Sequence, residues 1–232
     1  MFILVLLFLM FPFLSYGSTT TDVVGDNRDA KWREASQSTY EDTRQSSGDG
    51  ATLDTTATFL SIEDSSAPAI TRSLMVFDTS YLGTHYIVNA KFILTSIGNQ
   101  PITNSDIAGF TVAKSGVDID NLKATNYADL RDSVDNATEI AQRKSINGKG
   151  TVTSLLYPSK FVYSINKSGF TLIGVNHEYD LDGLEHIGSD LVSFHSGNHA
   201  TVGNRPVLRI TDCTNCVHIQ GLTQIKGLTT IQ

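Results

Sequence analysis

The sequence predicts an all-β fold: an antiparallel β-sandwich of jelly-roll type, followed by a short, strand-like C-terminal tail. Three observations predict it. Segments rich in β-branched and aromatic residues recur through the chain, at 57–62, 70–77, 86–94, 107–113, 151–157, 170–176, 190–195 and 206–211. Gly, Asn, Asp and Ser punctuate them, as turns between strands require. Sustained helical periodicity is nearly absent, which leaves a sandwich or barrel as the economical way to bury the apolar faces.

Read in order, the chain opens with an apolar run over residues 1–14 that ends in Ser15-Tyr16-Gly17. Such a run is shorter than the ~20 residues a bilayer span needs. It has the length of a signal-peptide core with small residues at a cleavage site after Gly17. No Lys or Arg precedes it, so an uncleaved anchor and a buried first strand remain as alternatives. Cleavage would make the mature protein extracellular or surface-associated, with no membrane partner. Residues 18–27 read as a polar leader, residues 28–212 as the sandwich domain and residues 213–232 as a separate tail.

Within the domain, residues 86–94 carry the clearest period of two. Val88, Ala90, Phe92 and Leu94 fall on one face, Asn89 and Lys91 on the other, as in a sheet packed on one side. Residues 118–146 are polar and loosely patterned around Tyr127, Leu130, Val134 and Ile140, which predicts short helical turns in a long connection. The tail repeats itself: Gly221-Leu-Thr-Gln-Ile-Lys226 is followed by Gly227-Leu-Thr-Thr-Ile-Gln232, and Ile219, Leu222, Ile225, Leu228 and Ile231 recur every third residue. Two copies cannot make a self-sufficient solenoid. The tail is either a frayed extension or a docking strand that carries assembly.

The segment Arg72-Ser-Leu-Met-Val-Phe-Asp-Thr-Ser-Tyr-Leu82 with Ile87-Val-Asn-Ala-Lys-Phe-Ile-Leu94, and the ending Leu191-Val-Ser-Phe-His-Ser196 with Arg205-Pro-Val-Leu-Arg-Ile-Thr211, resemble the strand motifs of DNRLRE-type domains. The resemblance spans roughly residues 28–212. It implies a jelly roll of the kind found in extracellular and phage-associated proteins, similar to an alginate-binding class of carbohydrate-binding module. The namesake hexapeptide is absent, because Asp26-Asn27-Arg28 continues as Asp29-Ala30.

Chemistry is thinly signalled. The chain of 232 residues carries a formal charge of −7, with Lys and Arg scattered, so no nucleic-acid partner is expected. His177-Glu-Tyr-Asp180 departs from a zinc-protease motif at Leu181, where the second histidine would stand. Asp180, Asp182 and Glu185 could offer oxygens to calcium, the one cofactor the sequence suggests; the alternative is an ordinary acidic loop. No G-x-S-x-G elbow and no phosphate loop occurs, so no catalytic residue is assigned and the protein is expected not to be an enzyme. Cys213 and Cys216 follow the last strand, a setting for a local disulfide or free thiols rather than redox catalysis. Asn136 and Asn166 begin glycosylation sequons. Trp32 and Tyr179, each beside charges, are the aromatics that would stack on a sugar ring; core packing is the alternative.

Two function classes follow. The first is a structural or adhesive protein, such as a subunit of an extracellular or viral fibre, that self-assembles or joins neighbouring subunits through its tail. The second is a module that binds a polysaccharide.

Overall fold

The computed structural model describes residues 18–57, 59–65, 68–97, 106–111, 117–130, 143–145, 150–155, 164–184 and 189–214. The apolar N-terminal run, Glu185, Cys216 and the repeat residues Ile219 to Ile231 lie outside the described residues.

The strands are β1 (Ser18–Val24), β2 (Ala30–Glu34), β3 (Thr52–Asp54), β4 (Phe59–Ser65), β5 (Ala69–Asp78), β6 (Tyr86–Ser96), β7 (Asp106–Thr111), β8 (Lys144–Ser145), β9 (Gly150–Leu155), β10 (Phe170–His177), β11 (Ser189–His195) and β12 (Val207–Cys213). Among the described residues, the short helices α1 (Tyr40–Gln45) and α2 (Glu178–Asp182) interrupt them. Every pairing is antiparallel. Two sheets pack against each other as a β-sandwich with no closed barrel. Sheet one runs β1-β12-β6-β9, and sheet two runs β3-β2-β5-β10-β7-β8. The β4–β11 pair joins the sheets, because β4 pairs with the start of β5 while Phe194 of β11 meets Ser96 of β6.

The inter-sheet core gathers Met75 and Phe77 of β5, Ala90, Phe92 and Leu94 of β6, Ile173 and Val175 of β10, and Leu208 and Ile210 of β12. Phe77 and Phe92 meet edge to face, with ring centroids 6.1 Å apart, the arrangement their quadrupoles favour. Ala90, Phe92 and Leu94 thus point inward and Asn89 outward, as the alternation predicts. Val88 does not: it is 47% exposed, and Ile87 is buried in its place. The cause is a β-bulge. Thr211 pairs with Asn89 and Asp212 with Ile87, so Val88 is an extra residue with no partner on β12. One inserted residue reverses the facing of everything before it.

Residues 18–24, expected as a leader ahead of the domain, are instead strand β1, paired residue for residue with β12. Polar Ser18-Thr-Thr-Thr gives no apolar alternation to read, and only Val23 joins the core. The partner strand β12 places Leu208 and Ile210 in the core and supplies the packing that β1 lacks.

The central strands of sheet two, β5 and β10, are buried on both faces. The outer face of this sheet carries a second core of Ala30, Trp32, Tyr40, Ile70, Leu74, Val76, Val117, Tyr127, Leu130 and Leu172. This is why β5 is buried at every residue from Ala69 to Phe77. The cover consists of α1 and the connection over residues 117–130, which includes a helical turn at 126–130, as the sequence led us to expect. Among the described residues no helix is long and apolar enough to cross a membrane.

Candidate functional site

The second core encloses a buried ion pair. On β5, residues 70, 72, 74 and 76 face this layer, so an arginine stands where an aliphatic side chain would be expected. Arg72 is fully buried. Its Nε donates to Oδ2 of Asp180 at 2.8 Å and its Nη2 to Oδ1 at 2.7 Å, a bidentate, charge-assisted pairing. The remaining donors reach backbone carbonyls: Nη1 to Tyr127 at 3.0 Å and Nη2 to Arg44 at 3.2 Å. The guanidinium also lies 4.1 Å from the Tyr127 ring centroid, within cation–π range. Burial opposes the Arg72 charge, but the field and hydrogen bonds of Asp180 outweigh it and hold the group charged.

Asp180 reaches this position because α2 starts abruptly. The His177 side chain caps its N-terminus by accepting from Tyr179 N, and Gly183 ends it in the left-handed region at φ 66°, where glycine is favoured. Asn176 Nδ2 donates to Asp180 Oδ2 at 2.8 Å, and Arg44 Nε donates to the Asp180 carbonyl at 3.1 Å. The network therefore ties β5, α1, α2, β10 and the 126–130 turn together.

A second buried carboxyl works differently. Asp29 accepts from Val76 N at 2.7 Å and Gly197 N at 2.8 Å. Burial pushes it up to about 7, against the downward pull of those two donors. Gly197 is required here: a Cβ would stand 1.9 Å from the carbonyl oxygen of Asp26. A third carboxylate, Asp212, contacts the Nδ1 of half-buried His85.

The sites expected from sequence are dispersed. Trp32 is completely buried in the second core, its indole N–H donating to the Lys123 carbonyl at 2.7 Å. It offers no face to a sugar, and its place opposite Arg72 across β2 and β5 explains its burial. Tyr179 is half-buried and stacks on His177 at 5.2 Å. Of the three carboxylates considered for calcium, Asp180 is bound to Arg72 and Asp182 to Arg143 at 2.6 and 2.8 Å. The Arg143 hydrogen bond holds Asp182 below the usual carboxylate range. Among the described residues no three His, Cys, Asp or Glu side chains converge on a point that could hold a metal. Cys213 is disulfide-bonded, and Cys216 is the only other cysteine in the chain.

Sequence reading missed the role of Arg72. Its signal was present, since an arginine in phase with Ile70, Leu74 and Val76 is a charge on a core face, and such a charge needs a carboxylate partner.

The outer face of sheet one is the contrasting surface. Arg209 grips Asp22 through two hydrogen bonds of 2.6 and 2.7 Å, and the Thr20 and Thr211 hydroxyls meet at 3.0 Å. Asn89 lies in the same row as Thr211, and Lys91 in the row of Arg209. Apart from exposed Val88, these rows of the face are polar, with Asp22 and Arg209 paired strand to strand. Compared with known proteins, the chain matches no protein-family model and no curated protein.

Proposed function

We propose that this chain is an exported, non-catalytic structural or adhesive protein, a subunit of an extracellular or viral fibre that assembles through the segment after Cys213. One observation carries the reading. Among the described residues, three sets of buried ionisable groups are engaged in holding the fold: Arg72 with Asp180, Asp29 with two backbone amides, and Asp212 with His85. A catalytic site instead keeps its charged groups poised toward a cleft. The resemblance to DNRLRE-type domains, common in extracellular and phage-associated proteins, supports the same reading. So does the short N-terminal apolar run with small residues ahead of Ser18.

Electron microscopy of the purified full chain tests it. Filaments or regular particles are expected, whereas dispersed monomers at high concentration would overturn the assembly. Polysaccharide binding is the second reading. It is favoured by the polar rows on the outer face of sheet one, where Asn89, Lys91, Arg209 and Thr20 could hydrogen-bond sugar hydroxyls. Saturable binding on a glycan array, abolished by Arg209→Ala with Asn89→Ala, would establish it in place of the structural role.

A further inference from the structure

Two histidines meet at the turn that follows β11. On that strand Val192 and Phe194 are buried in the inter-sheet core, so alternation places His195 on the opposite face. His199 lies four residues further on. The two rings are half-buried, with centroids 4.0 Å apart and planes inclined at 58°. The backbone between them is fixed by bonds that do not involve the rings. His199 N donates to the Ser196 carbonyl at 3.1 Å and closes the turn. Ser196 Oγ donates to the Ala57 carbonyl at 2.6 Å and accepts from Asn198 N at 3.1 Å. Asn198 Nδ2 donates to the Thr55 carbonyl at 3.1 Å, Gly197 N to Asp29 Oδ2 at 2.8 Å, and Arg205 Nε to the His199 carbonyl at 2.8 Å. Three separate segments, at 29, 55–57 and 205, therefore hold the turn, and the imidazoles are not needed to close it.

Thr201 determines which nitrogen His199 can offer. Its Nδ1 lies 3.1 Å from Thr201 N and 3.2 Å from the Thr201 carbonyl oxygen. In one neutral tautomer Nδ1 accepts from Thr201 N. In the other it donates to the Thr201 carbonyl, and Nε2 carries the free lone pair. Both partners lie on one residue, so the ring can change tautomer without turning. A ligating histidine that donates its other nitrogen to a backbone carbonyl is the usual support for a metal-bound imidazole. Imidazole nitrogens suit zinc, copper and nickel, whereas magnesium and calcium take oxygens. With metal–nitrogen bonds of about 2.0–2.1 Å, two rings on one tetrahedral ion have centroids roughly 5 Å apart, so an outward swing of about 1 Å at His195 makes room for the ion. Asp29, bonded to the same turn, has its oxygens on Val76 N and Gly197 N. The other positions on the ion therefore fall to water.

We propose that His195 and His199 form a two-histidine site for a divalent transition-metal ion of the zinc, copper or nickel class. The site is independent of the assembly reading above. Calorimetric titration of the purified, untagged full chain with ZnCl2 and, separately, with CuCl2 tests it. One ion should bind per chain, Cu2+ more tightly than Zn2+, as the general order of affinities requires. Supporting partners alone are worth about 10–100-fold in metal affinity. Loss of a ligating ring should cost no less, so His195→Gln and His199→Gln should each weaken Zn2+ binding by about tenfold or more. Nuclear magnetic resonance of the unsubstituted chain reads the same site without relying on the fold of a variant. Zn2+ should shift the ring signals of His195 and His199 together and bring the His199 proton onto Nδ1. A parent chain that takes up neither ion saturably would overturn the site. So would uptake that survives both substitutions, or ring signals of the two histidines that stay in place as Zn2+ binds.

Discussion

The Arg72–Asp180 pair allows a demanding test of what holds the second core. Arg72 makes two hydrogen bonds to Asp180 and two to the carbonyls of Tyr127 and Arg44. Asp180→Leu leaves a guanidinium that cannot lose its proton, enclosed with carbonyls alone. Breaking a buried pair in this way costs about 3–5 kcal/mol. Arg72→Met leaves the Asp180 carboxylate with Asn176 and with Arg44, whose Nε is 3.9 Å from Oδ1, so its cost should fall at the lower end of that range. The double variant removes both charges and orphans two carbonyls and the Asn176 Nδ2 donor, at about 1 kcal/mol each. It should therefore be no worse than either single variant, giving a coupling energy of about 3 kcal/mol. At about 2–4 °C per kcal/mol for a domain of this size, each single variant should melt at least ~6 °C lower. Urea unfolding followed by fluorescence is the assay, because the only tryptophan, Trp32, is buried directly across from Arg72. Additive costs in the cycle, or single variants within about 1 kcal/mol of the parent, would refute the argument that the pair holds this layer.

Three further predictions follow from the interior. Phe92→Ala should cost about 3–5 kcal/mol while Val88→Ala stays within about 0.5 kcal/mol; equal losses in urea unfolding would remove the bulge. Gly197→Ala, whose methyl would meet the Asp26 carbonyl, should destabilise by about 2 kcal/mol or more, and a neutral result would contradict the close approach. The pH dependence of Asp29 has a defined sign. Its folded value of about 7 exceeds the ~3.9 of an unfolded chain, so the folded state keeps a proton that the unfolded chain releases. That stabilisation is complete below about pH 4 and is lost as pH rises toward 7. Measured by urea unfolding at several pH values, the stability advantage of the parent over Asp29→Asn should therefore shrink across this window; a constant or growing advantage would refute it.

What the sequence determined by itself was the all-β class and the position of eight strands, because period-two patterning and turn residues are local properties of the chain. It also placed Ala90, Phe92 and Leu94 in the core and the helical turn near Tyr127 in a connection. It could not place β1, whose threonines become a strand only through the apolar partner β12. Nor could it place Val88, because a bulge is defined by the register between two strands. The layer over sheet two was equally hidden. Trp32 looks like a surface aromatic when its neighbours are Lys31 and Arg33, yet α1 and residues 117–130 return to cover it. Asp180 looks like one carboxylate in an acidic loop, and Arg72 lies 108 positions away in the chain. Only the tertiary structure brings that charge to that carboxylate, because a buried ion pair is a contact between distant segments and leaves no periodic trace in either.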